Sequence, residues 1–172
     1  MKMTWLVTRS AAAGLAALVC VCAPAQAQYG ALNGEWRSYG GDVGGTKYSP
    51  LDQIDATNFD DLRLAWRWQS ADGSLDADAI RAQGSRVQAR MFQATPLMID
   101  GVLYFNTPLS QGVAVDATTG KTLWVLNPKT YEEGTPSMSG PWTQRGVAYW
   151  TDGGGDERIF WGTGAGYLVC VQ

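Results

Sequence analysis

The groups able to do chemistry in this 172-residue chain are few, and what is missing narrows the field first. It contains no histidine. That excludes, within these residues, a histidine-based triad, a histidine zinc site and a Cys-x-x-Cys-His haem attachment. Four aspartates, Asp100, Asp116, Asp152 and Asp156, lie in turns that carry glycine or threonine. They read as turn formers whose short carboxylates bond local backbone, rather than as bases or calcium ligands. Gly40 to Lys47 has the glycines of a phosphate loop but not its order. A P-loop needs Gly-Lys-Ser/Thr between a strand and a helix, whereas Gly45-Thr46-Lys47 leads into no helical period. Arg145, in Thr143-Gln144-Arg145-Gly146-Val147, is a planar cation able to donate in a plane to flat anionic oxygens. By residue type alone, a surface arginine opening a strand is the favoured reading.

The elements that would position these groups are β-strands. In Ala114 to Trp124 an apolar run enters a turn, Asp116 and the Thr118-Thr119 hydroxyls can bond the backbone, Gly120 can take a positive φ, and Leu123-Trp124-Val125 leaves as a strand. Upstream, Thr95 to Ile99 and Val102 to Phe105 are β-prone runs separated by Asp100-Gly101, a strong two-residue hairpin signal. These four runs predict one four-stranded up-and-down antiparallel unit. The pattern restarts with Gly146 to Trp150, a turn over Thr151 to Glu157, Arg158 to Trp161, and Tyr167 to Val171. Gly112 to Asp116 slides onto Leu168 to Gln172 at an offset of 56 positions, a little above usual propeller periods of roughly 40 to 50. Stacking repeats normally need three or more members, so the chain is expected to be the N-terminal fragment of a longer protein, a small complete β-sandwich being the alternative.

The first 27 residues are expected to stand outside the fold as a signal peptide. Lys2 and Arg9 are positive, Ala11 to Ala23 is a short apolar core, and Ala25-Gln26-Ala27 is a small-x-small cleavage pattern. The mature chain is expected to start at Gln28 in the periplasm. An uncleaved anchor is the alternative, although the apolar stretch falls short of the ~20 residues a span needs. Neither Cys20 nor Cys22 follows the small residue of a lipoprotein signal, and Cys170 is the cysteine left after processing. Removing Lys2 and Arg9 from 13 basic residues leaves 11 against 16 acidic, a net charge of −5. With no basic stripe, nucleic acid is not an expected partner. The leading segment, Gly34 to Asp42 and Gly45 to Leu51, is glycine-punctuated and aromatic, and precedes a strand predicted over Leu62 to Trp68. Asp72 to Gln93 reads as a solvated loop or short helix.

The spacing of Ala114 to Trp124 matches the tryptophan-docking motif of the PQQ-dependent (quinoprotein) dehydrogenases, and the leading segment with Tyr48-Ser49-Pro50-Leu51 and Ala65-Trp66 resembles theirs. The resemblance runs from about Gly34 to Gln172 and implies an all-β protein, an eight-bladed β-propeller of four-stranded antiparallel blades, of which about two are present. It implies pyrroloquinoline quinone and Ca2+ as cofactors, the calcium ligands and the catalytic aspartate lying downstream, so that no residue here is named as catalytic. Arg145 stands where the family places an arginine on the cofactor. Gln93, before Ala94-Thr95-Pro96-Leu97, matches a position from which the family touches the cofactor with a glutamate. Ser139-Gly140 stands near the point where alcohol-oxidising relatives carry two adjacent cysteines, so the chain resembles the glucose, polyol or quinate branch more than the methanol branch. The implied activity is oxidation of alcohol, sugar or polyol hydroxyls, or of aldoses, with electrons passed to a respiratory quinone or cytochrome c. A non-catalytic propeller scaffold of the outer-membrane assembly type is the alternative, and the poor lipobox and the presence of Arg145 weigh against it.

Overall fold

The computed structural model describes residues 31–76, 78, 80, 91–133 and 143–172. The expected signal peptide, its cleavage at Gln28 and the Ser139-Gly140 position lie outside the described residues. Strands β1 (Leu97–Ile99), β2 (Val102–Asn106), β3 (Gly112–Asp116) and β4 (Thr122–Leu126) form a four-stranded sheet in that order. A second sheet takes β5 (Ala148–Thr151), β6 (Glu157–Gly162) and β7 (Leu168–Val171), again in chain order. Every pairing is antiparallel. This is the all-β, propeller-type blade arrangement expected, with part of the ring present.

Turn chemistry sets the registers. Asp100 and Gly101 take φ of 47° and 78°, so both central residues are left-handed, and Leu97 faces Tyr104 across the hairpin. Asp116 Oδ1 accepts from the Thr119 amide at 2.7 Å and the Thr119 hydroxyl at 2.7 Å, while Gly120 sits at φ 72°. Tyr104 pairs with Ala114 and Phe160 with Cys170, so the second and third strands of the two sheets repeat at the offset of 56. Leu97 and Ala148 pair with those same Tyr104 and Phe160, and their shorter spacing is taken up by the longer Asp152 to Asp156 turn. There Asp152 Oδ1 accepts from the amides of Gly154 and Asp156. Asp156 departs from a pure turn role, because its carboxylate grips Arg158 through two bonds of 2.9 and 2.6 Å.

The first sheet is covered on both faces. Leu97 and Ile99 pack against Ile159 and Trp161 of the second sheet, while Phe105, Val113 and Val115 on the other face pack against Trp66 and Trp68. Each such side chain withdrawn from water contributes roughly 1.5–3 kcal/mol before entropy is subtracted. Close approach needs glycine. A Cβ at Gly112 would run into the Trp161 ring, and one at Gly120 would lie 2.6 Å from Trp66.

Two expectations need correction. Leu62 to Trp68 is not a strand: it runs without a ladder partner among the described residues, with Leu62 and Leu64 exposed and Trp66 and Trp68 turned onto the first sheet. Its alternation is real, but the indoles, rather than a ladder, hold it. Trp66 Nε1 donates to Ala117 O at 3.1 Å and Trp68 Nε1 to Thr122 Oγ1 at 3.0 Å. The tryptophan docked on the Asp116 to Gly120 turn is therefore Trp66, whereas Trp124 lies beside Tyr104 with ring centres 6.1 Å apart. The second correction is Asp72, read as solvated. A short 3-10 turn over Ala71–Ser74, opened by Ser70 Oγ accepting from the Asp72 amide, aims the Asp72 carboxylate into the β2–β3 loop.

Candidate functional site

The two sheets meet at one end through backbone. Thr95 and Gly146, just before β1 and β5, form a parallel bridge in which the Thr95 amide donates to Arg145 O at 3.1 Å. Gly146 takes φ 134°, and a Cβ there would lie 2.9 Å from Thr95 O. Glycine is what lets the chains approach. The bridge brings Gln93 and Arg145, far apart in sequence, to the same end of the sheet pair. No hydrogen bond joins their side chains among the described residues.

The charge state of the neighbourhood separates Arg145 from two other arginines. Arg37 donates to Glu35 at 2.8 Å and lies over the Tyr149 ring, and Arg158 is held by Asp156 and lies over Trp150. Around Arg37 the charges are mutually satisfied. Its Nη1 donates to Tyr149 OH, which donates to Glu157 at 3.0 Å, and burial followed by that carboxylate raises the tyrosine pKa above its ordinary value. Arg145 is exposed, with no ion pair or side-chain hydrogen bond among the described residues. It lines an open groove of about 360 Å³ with Tyr39, Ala148, Phe160, Gly162 and Leu168. Gln93 is also exposed, its amide donating at 3.6 Å to Met91 Sδ. An uncommitted planar cation and a nearly uncommitted amide at one end of two strands fit a flat, anionic, acceptor-rich molecule such as PQQ.

Beneath this end lies a polar seam that sequence reasoning missed. The end of β2 and the β2–β3 loop are buried, with Asn106, Thr107 and Ser110 at 0% exposure. Asp72 accepts from Thr107 Oγ1 at 2.6 Å, Gln111 Nε2 at 2.7 Å and the Leu109 amide at 3.1 Å. Ser110, at φ 68°, reaches the second sheet: its carbonyl accepts from Trp161 Nε1 at 2.9 Å and its Oγ from the Gly164 amide at 3.2 Å. Gln144 closes the seam, accepting from Asn106 Nδ2 at 3.1 Å and donating to Ser110 Oγ at 3.0 Å. The sequence signal is the set of polar residues Asn106, Thr107, Ser110 and Gln111 around Pro108-Leu109, where a loop between apolar strands would be expected to face water.

The other candidates resolve simply. Asp42 fills the Gly40 to Lys47 turn, accepting from the Thr46 amide and hydroxyl at 3.0 and 2.6 Å, so a carboxylate occupies donors a phosphate would need. Asp116 serves its turn as expected, whereas Asp100 makes its turn through a left-handed backbone and faces Arg37 at 3.6 Å with its carboxylate rather than bonding local backbone. Among the described residues no group of three His, Cys, Asp or Glu could hold a metal ion.

Residues 36–172 match the profile described as the β-propeller domain of PQQ-containing glucose/ethanol/alcohol dehydrogenases, and the chain belongs to that family. It is similar, at 36% identity over 139 residues, to the dehydrogenase subunit of alcohol dehydrogenase (quinone) from Gluconacetobacter polyoxogenes, spanning 81% of this chain and 16% of that protein. Quinoprotein glucose dehydrogenase A of Acinetobacter calcoaceticus is 33% identical over 126 residues, 73% of this chain and 14% of its own length. The solved structure of quinohemoprotein alcohol dehydrogenase ADHIIG from Pseudomonas putida HK5 superposes with a TM-score of 0.63 at 30% identity, over 80% of this chain and 17% of that one. The chain thus spans about one sixth of the length of these relatives, and both alcohol and glucose dehydrogenases are among them.

Proposed function

We propose that this chain is the part of a periplasmic PQQ-dependent dehydrogenase that helps seat the cofactor, in an enzyme oxidising alcohol, sugar or polyol hydroxyls. The observation that carries this reading is the placement of Gln93 and the uncommitted Arg145 at the same end of the sheet pair, just before the Thr95–Gly146 bridge. PQQ, when bound, supplies an acceptor for the two electrons leaving the substrate CH–OH. Arg145 would donate in-plane N–H bonds to quinone or carboxylate oxygens, and Gln93 would add a neutral hydrogen bond and no charge. Ca2+ belongs to the same proposal, with ligands in the length of the relatives that this chain does not span. Passage of electrons to a quinone or cytochrome c agrees with the names of relatives such as the 1-butanol dehydrogenase (cytochrome c) of Thauera butanivorans. Preference for the sugar or polyol branch rests on Ser139-Gly140, since relatives of both kinds match at comparable identity.

The test is titration of the intact apo-protein with PQQ and calcium, followed by dye-linked oxidation. Arg145→Ala removes a charge-assisted donor and should cost roughly 1.5–3 kcal/mol, or about tenfold to a hundredfold in cofactor affinity. Arg145→Lys should recover part of this, because a point charge does not reproduce the fork. If both variants titrate like the parent, the assignment fails.

A further inference from the structure

We propose that Gln144 is the positioning residue for Arg145, a clamp that carries the buried β2–β3 loop of the first sheet into the orientation of the arginine on the second. The inference rests on the reading that Arg145 meets PQQ. In extended chain, neighbouring side chains point to opposite sides. Burial follows that rule: Gln144 is half-buried toward the seam and Arg145 is exposed. Both ends of the Gln144 amide are engaged, and both partners, Asn106 at the end of β2 and Ser110 in the β2–β3 loop, are fully buried.

That loop is itself fixed from two directions. Asp72 holds Thr107, Leu109 and Gln111 from the first-sheet side, and Trp161 and Gly164 hold Ser110 from the second. The Arg145 backbone is therefore held before its Cα by the Gln144 amide and after it by the Thr95 amide on Arg145 O. A long cationic side chain magnifies any tilt of its Cα, so a clamp one residue away decides where the guanidinium points. Asn106 has no slack to offer, since its Oδ1 already lacks a partner. Without Gln144, its Nδ2 would be unpaired as well, and the seam would have to rearrange.

The experiment uses the intact protein carrying Gln144→Met, which keeps length and volume and removes both hydrogen bonds, together with Arg145→Ala and the double variant. PQQ itself is the titrant. Gln144→Met should bind PQQ about fivefold to tenfold more weakly, the loss of about one neutral hydrogen bond. The double variant should titrate like Arg145→Ala alone, because a residue acting through Arg145 has nothing left to position. A cofactor-free reading is amide hydrogen exchange in the apo-protein: the peptide holding Thr95 should exchange faster in Gln144→Met, while the Val113 peptide of the β2–β3 ladder should not. Should Gln144→Met fail to fold, Ser110→Ala cuts the other end of the clamp and is read the same way.

Full additivity of the two losses, or unchanged PQQ binding in Gln144→Met beside a weakened Arg145→Ala, overturns the proposal. Arg145→Ala binding PQQ like the parent instead overturns the cofactor role of Arg145. In that event, faster Thr95 exchange in Gln144→Met still supports the clamp, and unchanged exchange sinks it.

Discussion

At the scale of single residues, the informative contrast is between carboxylates that look alike in sequence. Asp116 and Asp152 hold exposed turns, whereas Asp72 takes three donors from a buried loop more than thirty positions away. No local pattern distinguishes them, because the partners of Asp72 are brought to it by the fold of the first sheet. The same holds for Gln144, whose two partners lie more than thirty residues upstream. Arg145 and Gln93 are candidates through resemblance alone, and the structure adds that they share an end and that Arg145 is uncommitted among the described residues. Asp72→Ala should destabilise the intact protein by roughly 2–4 kcal/mol, since it strands one charged-acceptor hydrogen bond set inside a buried loop. Asp72→Asn should cost about half as much, because its one remaining oxygen still accepts. Denaturant unfolding would show this, and midpoints equal to the parent for both variants would return Asp72 to the solvated loop first expected.

Among elements, hairpins were easy to read and the leading segment was not. Asp100-Gly101 and Asp116 to Gly120 announce themselves because positive φ and short oxygen acceptors select the same few residue types. Leu62 to Trp68 alternates like a strand, yet alternation reports one buried face and not a ladder neighbour. The Asp116 turn has a pH signature. The Thr119 hydroxyl, then the Thr119 amide, hold the Asp116 carboxyl below its ordinary value of 3.8. A depressed folded pKa means that the turn's stabilisation is fully present above the ordinary value and is lost as pH falls through the lowered one. Carbon-detected NMR of the Asp116 carboxyl should show a midpoint under 3.8, with Thr119 amide exchange quickening as pH drops past that midpoint. A midpoint at or above the ordinary value would contradict the bonding seen here.

At the scale of the whole molecule, the two sheets are unequally covered. The first is packed on both faces, while the second leaves Trp150 46% and Leu168 74% exposed on the face turned away from it. Expressed by itself, Gln28 to Gln172 should therefore associate, bind a hydrophobic dye and lack a cooperative transition. A sharp calorimetric melt of a monomer would show that the two sheets suffice. The backbone bridge at Thr95 and Gly146 has a mechanical consequence for the pair. The bonds that directly join the sheets among the described residues cluster at that end, while at the Asp100 end the leading segment's Arg37 ties the first sheet to Tyr149 of the second. The Asp100-Gly101 and Asp152 to Asp156 turns lie at the strand ends opposite that bridge, so an insertion or a bulky tag there should disturb Arg145 least.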